Sequence, residues 1–229
     1  SVIDCLNRLL ARLELAFERE RAFSANVAHE LRTPLAGLRS LLEVAQSRNR
    51  SLEETERTLR DCLTITEQTA AMVENLLALA RVDAGKFRVF TEDVQVDALL
   101  QSCWSPHAIW ADERGLQVRI DSDHECIVCT DRQIVRLILS NLFDNAVKYA
   151  DEGGTIDIRS WRRLASWRLT VKNTGCQLAP EQVAHIYDRF WRGDASRSET
   201  GRSAGLGLSL CRELADVLGA TIEVNVEEG

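Results

Sequence analysis

Three absences narrow the functions open to this sequence of 229 residues. No stretch approaches the roughly 18 consecutive apolar residues of a membrane-spanning helix, and the N-terminal segment alternates leucines with Arg and Glu where a signal peptide would have an apolar core. Basic residues are outnumbered, with 28 Lys and Arg against 35 Asp and Glu. The resulting net charge of −7 argues against a nucleic-acid partner, because such binding draws on basic surface. From these absences we predict that this part of the protein functions in the cytosol.

The sequence also lacks a full set of metal-ligand spacings. Cys126 and Cys129 form one CxxC with His124 nearby, but no second CxxC or HxxxH follows, and structural zinc sites usually have four ligands. A β-strand that places Cys126 and Cys129 on opposite faces is the preferred interpretation. The seven cysteines are scattered, which is typical of reduced, structural thiols in an intracellular protein.

Two long amphipathic helices are predicted in the first third of the chain. Apolar residues spaced mainly by three or four predict one helix over residues 2–46, and Ser51 with Glu54 has the form of a capping box that starts a second helix ending near Asp83. We expect an antiparallel hairpin whose apolar stripes are too long for one opposing helix, and therefore a four-helix dimer. The alternative is a monomeric hairpin docked on the C-terminal half. The first stripe is expected to contain Val27, Leu31, Leu35, Leu38 and Leu42.

One histidine lies outside this stripe. His29 is about 200° from Val27 on a helix of 3.6 residues per turn, so it is expected to face solvent. Glu30 can orient or deprotonate the imidazole, Thr33 shares its face one turn on, and Pro34 is expected to bend the helix. An exposed imidazole beside a carboxylate is a candidate nucleophile, and the alternative is a surface histidine without a role.

The second half of the chain changes character after Ala84-Gly85, because short β-branched stretches separated by turn residues replace the leucine-rich pattern. Runs of strands with helices between them predict an α+β layer with helices on one face of a mixed sheet. Strands are expected at 87–90, 117–120, 126–129, 155–161, 166–172 and 221–226, and helices at 96–114, 131–149, from 180 and at 207–218.

The helix with the sequence NLFDNAVKY places Asn141, Asn145 and Lys148 on one face, at spacings of four and three. Amide oxygens beside an ammonium suit a magnesium-bridged triphosphate, since Mg²⁺ takes hard oxygen ligands and a lysine offsets phosphate charge. Amides that only cap a neighbouring loop would give the same pattern, so both interpretations stay open at this point.

The segment His29-Glu30-Leu31-Arg32-Thr33-Pro34 resembles the H-box of the bacterial sensor histidine kinases. The resemblance implies that His29 accepts the γ-phosphoryl group of ATP, that Glu30 assists, and that Thr33 supports removal of phosphate from a partner protein.

Three further segments, in the family's order, resemble its nucleotide-binding boxes. NLFDNAVKY, preceded by Asp131-Arg132, resembles the N-box, which implies that Asn145 is the magnesium ligand. Residues 186–192 resemble the F-box, which implies that Phe190 packs under a lid and Arg192 approaches phosphate. Residues 204–208 resemble the second glycine box, at the start of a helix whose free backbone donors favour phosphate. The nucleotide-binding residues implied in these three boxes are Asn141, Asn145, Lys148, Tyr149, Phe190, Arg192, Gly205, Leu206, Gly207 and Leu208.

The first glycine box departs from the family pattern Asp-x-Gly-x-Gly. In this chain its sequence is Asn173-Thr174-Gly175-Cys176-Gln177. The second glycine box also departs from the pattern, because Ser203 occupies the position where that box often starts with glycine. Asn173 can accept from the adenine amino group through its side-chain oxygen, without the charge of an aspartate. Asn173 and Gly175 complete the implied nucleotide site.

The resemblance implies a division into a dimerisation and phosphotransfer hairpin at 1–83, a linker at 84–93 and an α/β sandwich ATP-binding domain at 94–229. Residues 1–20 would be a signal-transmitting linker helix, and the segment around it is similar to that of heavy-metal sensor kinases. The implied cofactors are ATP and Mg²⁺. The implied partners are a second copy of the chain and the receiver domain of a response regulator, with no direct contact to nucleic acid. The full-length protein would be anchored in the inner membrane. The last strand usual in the family is expected to be missing.

Three other functions compete with this hypothesis. The altered first glycine box leaves open a phosphatase-biased or nucleotide-impaired signalling module that uses Thr33. A relative of the gyrase and heat-shock ATPases would need a glutamate four residues before Asn145, where this chain has Asn141, so ATP hydrolysis lacks its base. A dimerisation scaffold without enzymatic activity would not need the polar face that carries Asn145 and Lys148.

Overall fold

The computed structural model describes residues 2–46, 51–163, 166–176, 178–193 and 204–226. These residues divide into two compact units, one formed by residues 2–73 and a larger one that begins at Glu74. The elements in chain order are α1 Val2–Gln46, α2 Leu52–Asp83, β1 Glu92–Gln95, α3 Val96–Glu113, β2 Gln117–Ser122, β3 Ile127–Thr130, α4 Arg132–Tyr149, β4 Thr155–Arg163, β5 Ser166–Asn173, α5 Pro180–Val183 and α6 Gly207–Val217.

Helix α1 runs without interruption through Pro34, and it carries a stripe of half-buried side chains. The predicted stripe is only partly correct, because Leu35 and Leu42 are 54% and 43% exposed. The covered positions from Val27 to Ala45 alternate spacings of four and three, whereas the predicted stripe takes two successive steps of four, from Val27 to Leu35, and so moves around the helix toward the exposed side. The half-buried positions are Phe23, Val27, Glu30, Leu31, Pro34, Gly37, Leu38, Leu41 and Ala45.

Helix α2 begins with the predicted capping box. The Glu54 backbone N–H donates to Ser51 Oγ at 3.2 Å, and the Ser51 N–H donates to Glu54 Oε2 at 3.1 Å. Helices α1 and α2 face each other where a Cβ on Gly37 would lie 3.9 Å from Ile65 Cδ1. A second apolar stripe on α2 stays exposed, and it includes Leu59, Leu63 and Val73.

The larger unit holds two sheets. Strand β4 pairs with β2 in parallel and with β5 in antiparallel register, while β1 and β3 form a separate antiparallel pair. Helices α3 and α4 pack together, and Phe143 of α4 lies edge-on to Trp104 of α3 with ring centroids 5.4 Å apart. Phe143 is fully buried in a core that includes Leu100, Leu139, Ile156 and Ile158. This core holds α4, the helix with the predicted nucleotide face, in a fixed position.

Two predicted strands are wrong. Residues 87–90 form no strand, and β1 begins after them at Glu92. Residues 221–226 alternate half-buried and exposed through Ile222 and Val224, as a strand would, but they join neither described sheet. Alternation reports which face is covered, whereas a strand also needs a neighbour to complete its ladder of hydrogen bonds.

Among the helices that the structure describes, none is long and apolar enough to cross a bilayer.

Candidate functional site

The H-box includes both exposed and half-buried positions of α1. His29 and Thr33 are exposed, as predicted, and Glu30 is half-buried at the edge of the covered stripe. Thr33 Oγ1 donates to the His29 carbonyl oxygen at 3.3 Å. No hydrogen bond joins the side chains of His29 and Glu30 in the described chain, since adjacent residues on a helix point about 100° apart. The imidazole is therefore accessible to a partner molecule, and the next residue in the chain carries a carboxylate.

Helix α4 starts at a side-chain cap. Asp131 is buried, and its Oδ1 accepts hydrogen bonds from the backbone N–H groups of Gln133 and Ile134 at 2.9 and 3.1 Å. Its Oδ2 accepts from the Phe90 N–H at 2.8 Å. This cap satisfies donors that the first turn of a helix leaves unpaired, and it ties the segment before β1 to α4.

Arg114 secures the other end of α4, and sequence reasoning missed it. Its guanidinium donates to the carbonyl oxygens of Lys148 at 2.9 Å and Ala150 at 2.7 Å, and also to that of Val147. A cation is favourable there because the last turn of a helix carries unpaired carbonyls and partial negative charge. The only signal in the sequence was an arginine at the end of a predicted helix. That signal was not sufficient, because the carbonyl groups that Arg114 bonds lie more than 30 residues away.

Asn145 and Lys148, two residues of the predicted phosphate-binding face of α4, differ in the contacts that their side chains make. Asn145 is half-buried, and within the described residues its amide makes no hydrogen bond. Lys148 Nζ lies 3.1 Å from the Tyr149 hydroxyl and 4.7 Å from the centroid of that ring. The ammonium thus rests on Tyr149 through a hydrogen bond and a cation–π contact.

Asn141 has a partner that the sequence did not indicate. Asn75 Nδ2 donates to Asn141 Oδ1 at 2.9 Å, and Asn141 Nδ2 donates back to Asn75 Oδ1 at 3.2 Å. Asn141 Nδ2 also donates to the Leu137 carbonyl oxygen at 2.9 Å. The amide therefore bonds a side chain of α2, and it does not cap a loop.

The second glycine box touches two of the other predicted motifs. A Cβ on Gly207 would lie 2.8 Å from Asn141 Oδ1, so the box and the N-box are in contact. A Cβ on Gly205 would lie 2.6 Å from the Trp191 carbonyl oxygen, and the Phe190 N–H donates to the Gly205 carbonyl oxygen at 2.9 Å. Gly205 has a φ of 66° and Phe190 a φ of 64°, both in the left-handed region. The F-box and the second glycine box thus meet backbone to backbone.

Three other residues of these two motifs are at least half-buried. Leu206 precedes α6 and is buried at 2% exposure, and Leu208 is half-buried. Arg192 is half-buried as well. The structure brings Phe190, Gly205, Gly207 and Asn141 together, whereas among the described residues no hydrogen bond joins the side chain of Asn145 or Lys148 to the glycine box.

The variant first glycine box follows β5. Asn173 is the last residue of that strand, and its Nδ2 donates to the Thr174 carbonyl oxygen at 2.9 Å, which leaves Oδ1 as an acceptor. Gly175 has a φ of 91°, and a Cβ there would lie 2.6 Å from Asp151 Oδ1. Glycine is required at this position for both reasons. Gln177 and Ser203, the other departures from the family pattern, lie outside the described residues.

The last residue of α2 is tied to the F-box. Arg189 donates to both carboxylate oxygens of Asp83, at 2.8 and 2.7 Å, and also contacts Glu213 of α6. The hydrogen bonds from Arg189 hold the pKa of the Asp83 carboxyl below its ordinary value. Residues 74–83 of α2, which belong to the larger unit, are thus bonded to the rest of that unit at Asn75 and again at Asp83.

The metal-binding potential of the described residues is limited. They contain no group of three or more His, Cys, Asp or Glu side chains placed to hold an ion. The strand interpretation is correct for Cys129, which is exposed in β3, whereas the buried Cys126 lies just before the first residue of that strand. The half-buried oxygen of the Asn145 amide is a hard donor that fits Mg²⁺ held mainly by phosphates and water.

Two segments of the chain match families of known domains. The His Kinase A (phospho-acceptor) domain matches residues 19–85, and the Histidine kinase-, DNA gyrase B-, and HSP90-like ATPase matches residues 130–229. Together the matches cover well over half of the chain. The chain belongs to the sensor histidine kinases, as its boxes predicted.

Individual relatives agree with this assignment. The chain is 33% identical to the swarming motility regulation sensor protein RssA of Serratia marcescens over 225 residues, 97% of this chain and 47% of RssA. It is 33% identical to the sensor histidine kinase CusS of Escherichia coli over 218 residues, 95% of this chain and 45% of CusS. The histidine kinase AdeS of Acinetobacter baumannii has the same fold, with a TM-score of 0.61 at 22% identity over 83% of this chain and 87% of that one. The chain spans about half the length of the curated relatives it matches.

Proposed function

We propose that this chain is the catalytic core of a sensor histidine kinase, which phosphorylates His29 with ATP and passes the phosphoryl group to an aspartate of a response regulator. The observation that carries the proposal is the exposed His29 imidazole within a phospho-acceptor domain, in a chain that also contains an ATPase domain. In this proposal residues 1–83 are the phosphotransfer hairpin, residues 84–93 a linker and residues 94–229 the ATP-binding domain.

The reaction transfers one phosphoryl group. A nitrogen of the His29 imidazole attacks the γ-phosphorus, an N–P bond forms, and the bond from the γ-phosphorus to the oxygen bridging the β-phosphate breaks. ADP leaves with that electron pair, and the imidazole loses its proton to Glu30 or to water. Positioning and charge neutralisation supply most of the rate enhancement in phosphoryl transfer, so the protein mainly has to align the two groups.

The nucleotide residues are assigned by motif and supported by their arrangement on α4, β5 and α6. Lys148 offsets phosphate charge, and Asn145 offers its amide oxygen to Mg²⁺. Magnesium bound there would neutralise charge on the phosphates. Gly205 and Gly207 let the backbone before α6 approach the phosphates closely, where the helix N-terminus favours an anion. Asn173 Oδ1 accepts from the adenine amino group. The other assigned residues are Asn141, Tyr149, Gly175, Phe190, Arg192, Leu206 and Leu208.

The partners follow from the family and from exposed surface. Leu59, Leu63 and Val73 of α2 leave an apolar stripe uncovered, which supports a dimer in which a second copy completes a four-helix bundle. A phosphohistidine made on His29 is consumed by the receiver domain of a response regulator. Because the relatives are about twice as long as this chain, we propose that it is the cytoplasmic portion of a membrane-anchored sensor.

Labelling with γ-labelled ATP and Mg²⁺ tests the proposal. The chain should acquire label that is lost in acid and stable in base, as a phosphoramidate is, and His29→Gln should abolish the label while nucleotide affinity stays unchanged. Asn26→Gln, at an exposed position one turn earlier on α1, serves as the control that keeps the label. Label retained in His29→Gln would refute the assignment.

Removal of phosphate from the regulator is a second proposed activity. It is supported by the exposed hydroxyl of Thr33 on the face of His29 and by the uncharged Asn173 in the first glycine box. Thr33→Ala should slow dephosphorylation of a phosphorylated regulator with little effect on labelling of His29. Equal loss of both activities would contradict a separate role for Thr33.

A further inference from the structure

The amide pair between Asn75 and Asn141 uses groups that a nucleotide would need. An asparagine amide has two N–H donors and an oxygen with two lone pairs. Both donors of Asn141 are taken, one by the Leu137 carbonyl and one by Asn75 Oδ1, and the oxygen accepts from Asn75 Nδ2. The Leu137 carbonyl can only accept, so the amide atom of Asn141 beside it is the nitrogen.

The same amide lies against the second glycine box. The position that a Cβ on Gly207 would occupy is 2.8 Å from Asn141 Oδ1, so the amide lies directly against Gly207 while it bonds Asn75. Asn141 therefore faces two neighbours, the end of α2 and the start of α6, and its hydrogen bonds are made to α2.

A second attachment holds the same part of α2. Asp83 lies about two turns beyond Asn75 and forms the paired hydrogen bonds with Arg189, which also contacts Glu213. Arg189 directly precedes Phe190, whose N–H bonds the Gly205 carbonyl. Both of these polar contacts of residues 75–83 thus end on motifs that the proposed function uses for nucleotide.

We propose that Asn75 is a positioning residue that competes with nucleotide for Asn141. Nucleotide gains the donors of Asn141 only when the amide pair opens, so residues 75–83 of α2 lower nucleotide affinity while they are attached. The inference rests on the proposed function, because it takes Asn141 as a nucleotide-binding residue. Binding linkage is reciprocal, and nucleotide must therefore loosen residues 75–83 by the same free energy.

Calorimetric titration with a non-hydrolysable ATP analogue and Mg²⁺ tests the competition. Asn75→Ala should bind the analogue roughly three- to tenfold more tightly, the size expected from one or two neutral hydrogen bonds, and it should unfold at lower denaturant concentration. A contact with a purely structural role would lower stability and leave the affinity equal or weaker. Glu74→Ala, at the exposed neighbouring position of α2, should leave the affinity unchanged.

A mutant cycle localises the effect. In an Asn141→Ala background, Asn75→Ala should change the affinity no further, because the pair is already absent. A tightening that persists in this background would overturn the competition for Asn141.

Hydrogen exchange on the unmodified chain gives an independent test that needs no variant. Addition of the analogue should speed exchange of the backbone amides in 75–83, and slower exchange there would overturn the inference. A chain that binds no nucleotide at all would overturn the proposed function as well. Normal binding with an equal or weaker affinity in Asn75→Ala would overturn only the competition.

Discussion

The Arg189 guanidinium meets the Asp83 carboxylate through two parallel hydrogen bonds, across 106 residues of sequence. This fork-to-fork geometry is the strongest form of an Arg–carboxylate contact. It connects the end of α2 to the segment that leads into the second glycine box.

Asp83 gives the first prediction, on acid stability. Its pKa is lowered in the folded chain, so its contribution to stability is present above the ordinary carboxyl pKa and is lost as pH falls through the folded value. Asp83→Asn should lower the free energy of unfolding at pH 7 by at most about 1 kcal/mol, because Asp83 is half-exposed. In urea titrations the difference between parent and variant should shrink as the pH falls below the ordinary carboxyl pKa. Asp61→Asn, on an exposed part of α2, should show no difference at neutral or at acidic pH.

Gly205 gives the second prediction, and the chain offers a matched control. Gly205 and Gly219 have nearly the same φ, 66° and 67°, but a Cβ meets backbone atoms only at Gly205. Gly219→Ala should cost about 1 kcal/mol of stability from the left-handed conformation alone. Gly205→Ala should cost about 1–3 kcal/mol more and should weaken nucleotide binding, because the F-box backbone has to move. Equal losses in urea denaturation would show that the contact between the two boxes does not form.

Arg114 gives the third prediction. Arg114→Met removes a guanidinium that bonds three carbonyl groups at the end of α4, and hydrogen bonds to charged groups contribute about 1.5–3 kcal/mol each. We expect the free energy of unfolding to fall by about 2–4 kcal/mol, less than the sum of three such bonds, because Arg114 is only half-buried and water can replace part of the bonding. Nucleotide affinity should fall with it, since Lys148 and Tyr149 lie in that last turn. Arg168→Met, an exposed position on β5, should change neither quantity. Full stability in Arg114→Met would contradict the cap.

His124 gives the fourth prediction. Its Nδ1 lies 2.9 Å from Asp97 Oδ2, and this hydrogen bond raises the pKa of the imidazole above its ordinary value. The contribution of the pair to stability is complete below the ordinary pKa and is lost as pH rises through the raised one. NMR titration should find a raised pKa for His124 that returns to about 6.5 in Asp97→Asn. An ordinary pKa in the parent chain would show that the pair does not persist in solution.

The cysteines give the fifth prediction. Burial raises the pKa of the Cys211 thiol to about 12, so the reactive thiolate is scarce at neutral pH. A maleimide should label the exposed Cys5, Cys129 and Cys176 of the folded chain quickly, and Cys211 only after unfolding. Peptide mapping by mass spectrometry would measure each rate, and rapid labelling of Cys211 would contradict its burial against α4.

Local features were predicted well because the chemistry that determines them is local. The capping box at Ser51 and the exposure of His29 follow from residues within one or two turns, and the structure has both. The strand expected at 221–226 failed because pairing needs a neighbour that the residues themselves do not specify. Leu35 and Leu42 were placed in the covered stripe for a similar reason, since spacing alone does not say which of two adjacent faces meets another helix.

By itself, the sequence determined the family, the order of the boxes and the residue types of the nucleotide face, because each depends on short spacings along one helix or loop. Only the tertiary structure decided what those residues contact. Asn75 and Asn141 are 66 residues apart, and Arg189 and Asp83 are 106 apart. No periodicity or motif links such positions, because hydrogen bonds between distant segments depend on how packed elements bring them together.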